Sequence, residues 1–310
     1  MIKKIISILA SIMPNLIKKN LYRLIGYKIG KNVRIGFLTL ILANNVVIGD
    51  NVRIGSLNIL KMNKLSIGSR SIVRSLNMMI GPANLTLGER VQIVGPFTFM
   101  NLSEDIELDN HCGIGSHSIF YTHGVYLPYT EGNPRKFGKI YLGKEVWSPT
   151  NVTFLPGVQI GDNSIITAGS LVNASFPADS LISGNPAKLI SNASKFKTKI
   201  TKEELHKRMK EILADFPSHY PNFRQTKFDL KGDELIIKER KKEFLIKLQF
   251  DEKIPAIKKY NEVILFGENF EGIKSKKISL FDLNKRKKII NGELAKKFYK
   301  YLENYGEYFD

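Results

Sequence analysis

Residues Leu142 to Leu171 read LGKEVW SPTNVT FLPGVQ IGDNSI ITAGSL, five six-residue units in unbroken register. The first place of each unit is apolar except at Ser148 (Leu142, Phe154, Ile160, Ile166). The place four further on is small or branched (Val146, Val152, Val158, Ser164, Ser170). A period of six is neither the turn of an amphipathic helix nor the bare alternation of one strand. It suits short flat strands joined by tight corners, three strands to each turn of a prism. Both recurring positions then point inward, and Gly, Asp and Asn take corners that need unusual backbone angles. Such coils are stable only when several are stacked.

Outward from this tract the same unit recurs at Ile29 (IGKNVR), Ile35, Ile48 (IGDNVR), Ile54, Ile67 and Leu87, and as a pair from Leu108 (LDNHCG, IGSHSI). The prediction is a mainly β domain over residues 28–195. The repeat opens at FYTHGVYLP, Phe120 to Pro128, and Val125–Lys139 stays out of register. That interruption carries His123.

Val146 to Val172, followed by LISGNPAKLI (Leu181 to Ile190), resembles the C-terminal coil signature of the hexapeptide-repeat acyltransferases, in particular polysaccharide O-acetyltransferases. The resemblance implies a left-handed parallel β-helix that assembles as a homotrimer. It also implies acetyl-CoA as acyl donor, lying in a groove between neighbouring prisms. The family's catalytic histidine stands at the base of a loop leaving the prism, with a tryptophan about four coil sides later. His123 and Trp147, 24 residues apart, match that order. By the same resemblance Trp147 borders the pantetheine arm, Thr150 and Ala168 contact the cofactor, and Lys188 approaches the nucleotide phosphates as a point charge. Ser148-Pro149 departs from the family's usual Ile-Gly and puts the local corner in question.

The residue types suit the chemistry. Acyl transfer from a thioester to a hydroxyl needs a base of near-neutral pKa, and imidazole has one. Backbone N–H groups on a rigid coil can stabilise the oxyanion. No nucleophile elbow is present or needed. His111, His117 and His123 are six apart and fall on three different sides of a coil, which argues against a shared metal, so no metal is expected. For the acceptor, the loop Tyr126 to Gly138 offers Tyr126 and Tyr129 to stack on sugar rings, with Arg135 and Lys136 for acidic groups. Contact with a neighbouring subunit is the competing role for this loop.

Residues 1–75 hold thirteen Lys or Arg against one acid, Asp50, within a net charge of +18. A field of that kind attracts anionic lipid, nucleic acid or polyphosphate. No reader motif accompanies it, which speaks against nucleic acid. The segment 1–27 has helical spacing, with Ile2, Ile5, Ile6, Leu9, Ile12, Met13 and Leu16 on one face and Lys4, Ser7, Ser11, Asn15, Lys18 and Tyr22 on the other. It is too short to span a bilayer and shows no cleavage site. Two roles are open: an amphipathic helix on an anionic membrane, or a cap over the prism.

After Asn192 the repeat stops. Residues 196–219 read as a helix and linker, opened by the capping box Thr201/Glu204. Residues 220–310 read as a small α+β domain. The single cysteine, Cys112, suits a reducing compartment. The expectation is a cytoplasmic O-acetyltransferase, peripheral on the inner membrane face, acting on a saccharide such as a surface-polysaccharide precursor. The alternatives are an N-acetyltransferase of an amino-sugar nucleotide and a non-catalytic β-helix scaffold that binds glycan or membrane.

Overall fold

The computed structural model describes residues 2–124, 127–196, 200–220, 226–240, 242–249, 260–268, 270, 277–283 and 285–303. The chain divides into two compact units, Met1–Thr198 and Lys199–Asp310.

The first unit is a left-handed β-helix of parallel strands on three walls. In chain order within a coil, wall 1 stacks Ile29, Ile48, Ile67, Leu87, Leu108, Leu142 and Ile160 in register. Wall 2 stacks Ile35, Ile54, Val73, Ile93, Ile114 and Ser148, then continues through the strands at Ile165 and Ser180–Gly184. Wall 3 stacks Ile41, Leu60, Met79, Met100, Phe120, Phe154 and Val172. The side chains stacked on walls 1 and 3, and on wall 2 from Ile35 to Ser148, are buried in one continuous column. The small positions turn inward as well: Thr39, Asn58, Asn77, Thr98 and Ser118 are buried behind the wall 2–3 corner. There Asn58 Oδ1 accepts from the Asn77 N–H at 2.9 Å, and Asn77 Oδ1 from the Thr98 N–H at 3.0 Å. The six-residue unit is strict only in the last coils. In the early ones walls 3 and 1 share a single strand, Leu40–Ile48 or Ile59–Ile67, whose inward residues lie seven apart. That extra residue is why the repeat looks scattered before Leu108.

Ser148 explains its own departure from the repeat. It points into the core in the same coil as Phe154, whose ring stacks on Phe120 at 4.5 Å. A small residue on wall 2 leaves room for an aromatic on wall 3, and density is conserved across the coil. The corner survives, with Asn151 in the left-handed region at φ 60°.

Two helices, α1 (Ile2–Ile12) and α2 (Asn15–Leu24), close the lower end. They do so with their small and polar faces. Ser7, Ala10, Ser11, Lys18 and Tyr22 are buried, while Ile5, Leu9, Ile12 and Leu16 are half or more exposed. The first wall 2 strand has a free edge, which α2 pairs. Asn15 Oδ1 accepts from the Ile35 N–H at 2.9 Å, and Lys18 Nζ donates to the Gly36 carbonyl at 2.5 Å. Burial holds the Lys18 amine below its usual pKa. At the other end the hairpin Ser180–Gly184/Ala187–Asn192 closes wall 2.

In the second unit six strands form one mixed sheet: Thr226–Lys231, Glu234–Glu239, Lys242–Gln249, Glu262–Gly267, Ile278–Asp282 and Lys287–Ile289. The pairings run antiparallel, antiparallel, parallel, parallel and antiparallel. Helix α3 (Lys202–Asp215), capped by Thr201 Oγ1, is part of this unit's core and not a link to it. Met209, Leu213 and Phe216 pack with Leu235, Phe266 and Phe298, the last on α4 (Glu293–Leu302). Phe216, within the sequence read as helix and linker, and Tyr220 just after it are core residues.

Two outcomes check this packing. Among the described residues Ser148 Oγ is buried without a hydrogen-bond partner, so Ser148→Ala should be neutral or stabilising by about 1 kcal/mol. Ser148→Ile, which restores the repeat, should instead overpack against Phe154 and cost about 1–3 kcal/mol in urea denaturation. Burial pushes the Cys112 thiol up to about 12. At pH 8 the native chain should then react with a thiol reagent roughly a thousandfold more slowly than the unfolded chain. Because the folded thiol keeps its proton above the pH at which the unfolded one ionises, this group withdraws stability as pH rises past about 9.

Candidate active site

Wall 3 ends the fifth coil at Ile119–Tyr121, and the chain leaves the prism there. Thr122 pins the departure: its Oγ1 donates to the Asn101 carbonyl at 2.8 Å and accepts from the Glu104 N–H at 2.9 Å. The Gly138 N–H donates to the Thr122 carbonyl at 3.0 Å and closes the neck of the loop. His123 is the first residue beyond that neck and is half-buried. It pairs antiparallel with Phe137.

The imidazole is held from below. Nδ1 lies 2.8 Å from Asn101 Oδ1 and 3.1 Å from Ser103 Oγ, and Ser103 Oγ lies 2.9 Å from the same Asn101 oxygen. An amide oxygen only accepts, so Nδ1 carries a proton, and in the neutral ring Nε2 carries the lone pair. Nε2 makes no hydrogen bond among the described residues. Phe137 lies 5.8 Å from the imidazole ring centre, and the Arg135 guanidinium stacks over Phe137 at 4.7 Å. Lys136 and Tyr129 are exposed on the same loop. Tyr126 lies outside the described residues.

A second cluster occupies the corner between walls 2 and 3. Trp147, half-exposed, sits in register over Gly113, where a β-carbon would come within 3.3 Å of the indole. The glycine lets the ring rest on the wall. Thr150 is fixed by donating to the Ser116 carbonyl at 2.8 Å, and one coil later the Gly169 N–H donates to the Thr150 carbonyl. Ala168 is exposed beside Gly169, whose φ is 74°. Lys188 is exposed on the closing hairpin, opposite Ser183, whose hydroxyl accepts from Thr167.

So the structure gathers Trp147, Thr150, Ala168 and Lys188 on one end of wall 2 and its corner. His123, Arg135 and Lys136 gather at the far edge of wall 3. Ser116 to His123 is seven residues across that wall, at most about 23 Å at about 3.3 Å per extended residue. His111 and His117 sit at two corners in the left-handed region, with His117 against Phe97 at 5.3 Å. Sequence reading missed Asn101, Ser103, Phe137 and Gly113. The first of these had a signal, since Asn101 lies one coil before Tyr121, but the irregular coil length hides it.

No protein-family model matches the chain. Among curated relatives it is 38% identical over 108 residues to "Putative acetyltransferase YvoF" of Bacillus subtilis, covering 35% of this chain and 55% of that protein. It is 49% identical over 63 residues to "Probable macrolide acetyltransferase" of Lysinibacillus sphaericus, covering 20% and 34%. The chain thus spans about half the length, or less, of the curated relatives it matches. Among solved structures it superposes on the polySia-specific acetyltransferase NeuO with TM-score 0.48 at 19% identity, over 61% of this chain and 93% of the other. For a galactoside acetyltransferase in complex with coenzyme A the values are 0.34, 16%, 64% and 84%.

The chain carries six-residue repeats on a β-solenoid, and the curated relatives it matches are described as acetyltransferases.

Its tautomer assignment is open to measurement. In wild type the ¹⁵N shifts of neutral His123 should show a protonated Nδ1 and a bare Nε2, and in Asn101→Ala this preference should collapse toward a mixture. An unaltered spectrum would remove Asn101 from its role.

Proposed function

We propose that this protein is an acetyl-CoA-dependent O-acetyltransferase that acts on a saccharide hydroxyl, with His123 as the general base. The observation that carries the reading is the Asn101–His123 contact, because in the neutral ring it puts the proton on Nδ1 and the lone pair on Nε2 at the mouth of the loop that interrupts the coils. The curated relatives support the transferase class.

Nε2 takes the acceptor's hydroxyl proton as its oxygen attacks the thioester carbonyl. A C–O bond forms, the tetrahedral oxyanion collapses, the C–S bond breaks, and the imidazolium returns the proton to the thiolate. Coenzyme A enters as substrate. Trp147, Thr150 and Ala168 offer it a flat surface with an aromatic border, and Lys188 a positive charge for phosphate. The acceptor approaches from the loop side, where Tyr129, Arg135 and Lys136 suit a sugar bearing acidic groups, such as a surface-polysaccharide precursor.

One protomer holds the base and the cofactor corner on opposite edges of wall 3, so the reading requires copies around a threefold axis, with the corner of one facing the histidine of the next. The outer face of wall 3 and its corner support this. Leu38, Leu57, Leu76 and Phe97 occupy left-handed corners at φ 53–64° with exposed side chains, next to exposed Ile59 and Met78. Bulky residues in that region cost about 1–2 kcal/mol each, and an apolar ladder on an edge is what a neighbouring copy would cover.

The test is thiol release from acetyl-CoA with glycan acceptors, set against amino-sugar nucleotides. His123→Ala should lower kcat by about 10²–10⁴-fold, and Asn101→Ala by about tenfold with KM held. Activity with amino-sugar nucleotides alone would favour N-acetyl transfer, and no coenzyme A binding at all would favour a scaffold. The shared site has its own signature. His123→Ala and Ala168→Trp, each inactive, should recover about a quarter of wild-type activity when co-assembled at equal amounts, the fraction of cyclic interfaces with both halves intact. No recovery would place both halves in one protomer.

A further inference from the structure

The apolar face of the N-terminal helix pair is turned away from the prism. On α1 the exposed side chains Lys4, Ile5, Ile8, Leu9 and Ile12 share one arc, and the buried ones, Ser7, Ala10 and Ser11, share the opposite arc. α2 continues the exposed stripe with Leu16, Ile17 and Leu24, the last 77% exposed. Small residues let α1 lie close on the coil with Ile6 packed against the core, and Ile5, Ile8, Leu9 and Ile12 are left outside. Capping the prism accounts for the buried face and leaves the other without a partner.

We propose that this face docks on an anionic lipid bilayer. The charge around it selects that occupant. Lys3, Lys4, Arg23, Lys28, Lys31 and Arg34 are exposed nearby in sequence and coil, and Asp50 is the only acid in the first 75 residues. A second copy would set the same basic rim against itself, since a self-paired interface joins identical patches. Residues 191–310, with 28 Lys or Arg against 19 acids, supply no negative excess either. A bilayer with anionic headgroups meets both demands at once: acyl chains for the aliphatic stripe and negative charge for its rim. Helices of 11 and 10 residues, at 1.5 Å per residue, reach about half the hydrocarbon thickness. No helix among the described residues is long and apolar enough to cross a membrane. The pair therefore lies in the interface plane. This inference goes beyond the catalytic reading and does not use it.

The experiment is co-sedimentation of the full chain with phosphatidylcholine vesicles containing about 30% phosphatidylglycerol, against phosphatidylcholine alone. The anionic vesicles should bind the protein, less so as salt rises. Ile8→Asp with Ile12→Asp should weaken binding at least tenfold, and Lys3→Gln with Lys4→Gln severalfold. Protection of Cys112 from thiol reagent in each variant shows that the prism is intact. Equal binding to both vesicle types, no binding, or unchanged binding of the aspartate variant would overturn the proposal. So would a wild-type assembly that the aspartate variant dissociates while vesicles are ignored, which would assign the face to a second copy. Thiol release with soluble acceptors should stay at the wild-type level in both variants. Vesicle binding without any thiol release would count against the catalytic reading alone.

Discussion

A three-walled coil closes only if the backbone turns sharply at each corner, and here the turn is made by residues in the left-handed region. Asn32, Asn51, Arg70, Arg90, His111, Glu145, Asn163 and Asp179 mark one corner; Leu38, Leu57, Leu76, Phe97, His117, Asn151 and Gly169 mark another. Side chains other than glycine are strained there. From the second coil onward each strained residue is compensated by stacking, because its N–H donates to a carbonyl of the preceding coil; in the first coil the Leu38 N–H donates to the Ser11 carbonyl of α1. Asn51 donates to Lys31 at 2.8 Å, His111 to Glu89 at 2.8 Å and Asn151 to Ser116 at 2.9 Å. The corner is therefore stable only inside the array, which is the energetic sense in which the coils are cooperative.

The same constraint decides what a side chain in the array can do. A residue inside a wall has its backbone hydrogen-bonded to the coils on either side, and its side chain lies either in the core or on a flat face. Neither setting is a cleft. A base can be partly shielded and still open to a substrate only where the chain leaves the prism, and the exit after Tyr121 is such a place. The neighbouring coil then becomes the support, with Asn101 in register with Tyr121 and its amide two residues from the imidazole's own strand position. The rigidity that bars chemistry along the walls fixes the histidine at their edge.

How much of this is legible in the sequence depends on whether the period survives. From Leu142 to Leu171 the unit is strict, and walls, corners and inward positions can be assigned residue by residue. Earlier, the seven-residue spacing between Ile41 and Ile48 spoils the count, so the coils are visible and their register is not. His123 stands out because it breaks a pattern, while Asn101 keeps one and is invisible. Ser148 reads as a defect until Phe154 is seen across the coil. In the N-terminal segment periodicity separates two faces except at Lys4, which is exposed with the aliphatics, and Ile6, which packs against the core, and it cannot say which face packs. Burying the small, polar face runs against the usual direction of the hydrophobic effect, and only the geometry of the open coil, with carbonyls at Ile35 and Gly36 to be satisfied, selects it. In the second unit α3 is legible as a helix, but its place in the sheet's core is not, because contacts between Met209 and Phe298 leave no trace in local spacing.

Both surfaces that the prism leaves apolar can be argued from cost. An exposed leucine on a helix costs little and needs no explanation on its own. Leu38, Leu57, Leu76 and Phe97 are different, since each holds an unfavourable backbone conformation that asparagine or glycine would adopt with less strain, and asparagine does at Asn151 in the same column. The polar choice was available and is used only beside Trp147, where Thr150 and Ala168 leave the surface open. An edge that is apolar below and polar above matches the division that the proposed assembly needs: a lower part covered by protein and an upper part open to a polar, amide-bearing ligand. The helix stripe shows the complementary case, where the strain is absent and the charge is not. Its aliphatics are ringed by lysine and arginine, and a basic rim is a poor match for another copy of itself. In the two proposals strain is what assigns one face to protein, and charge is what assigns the other to lipid.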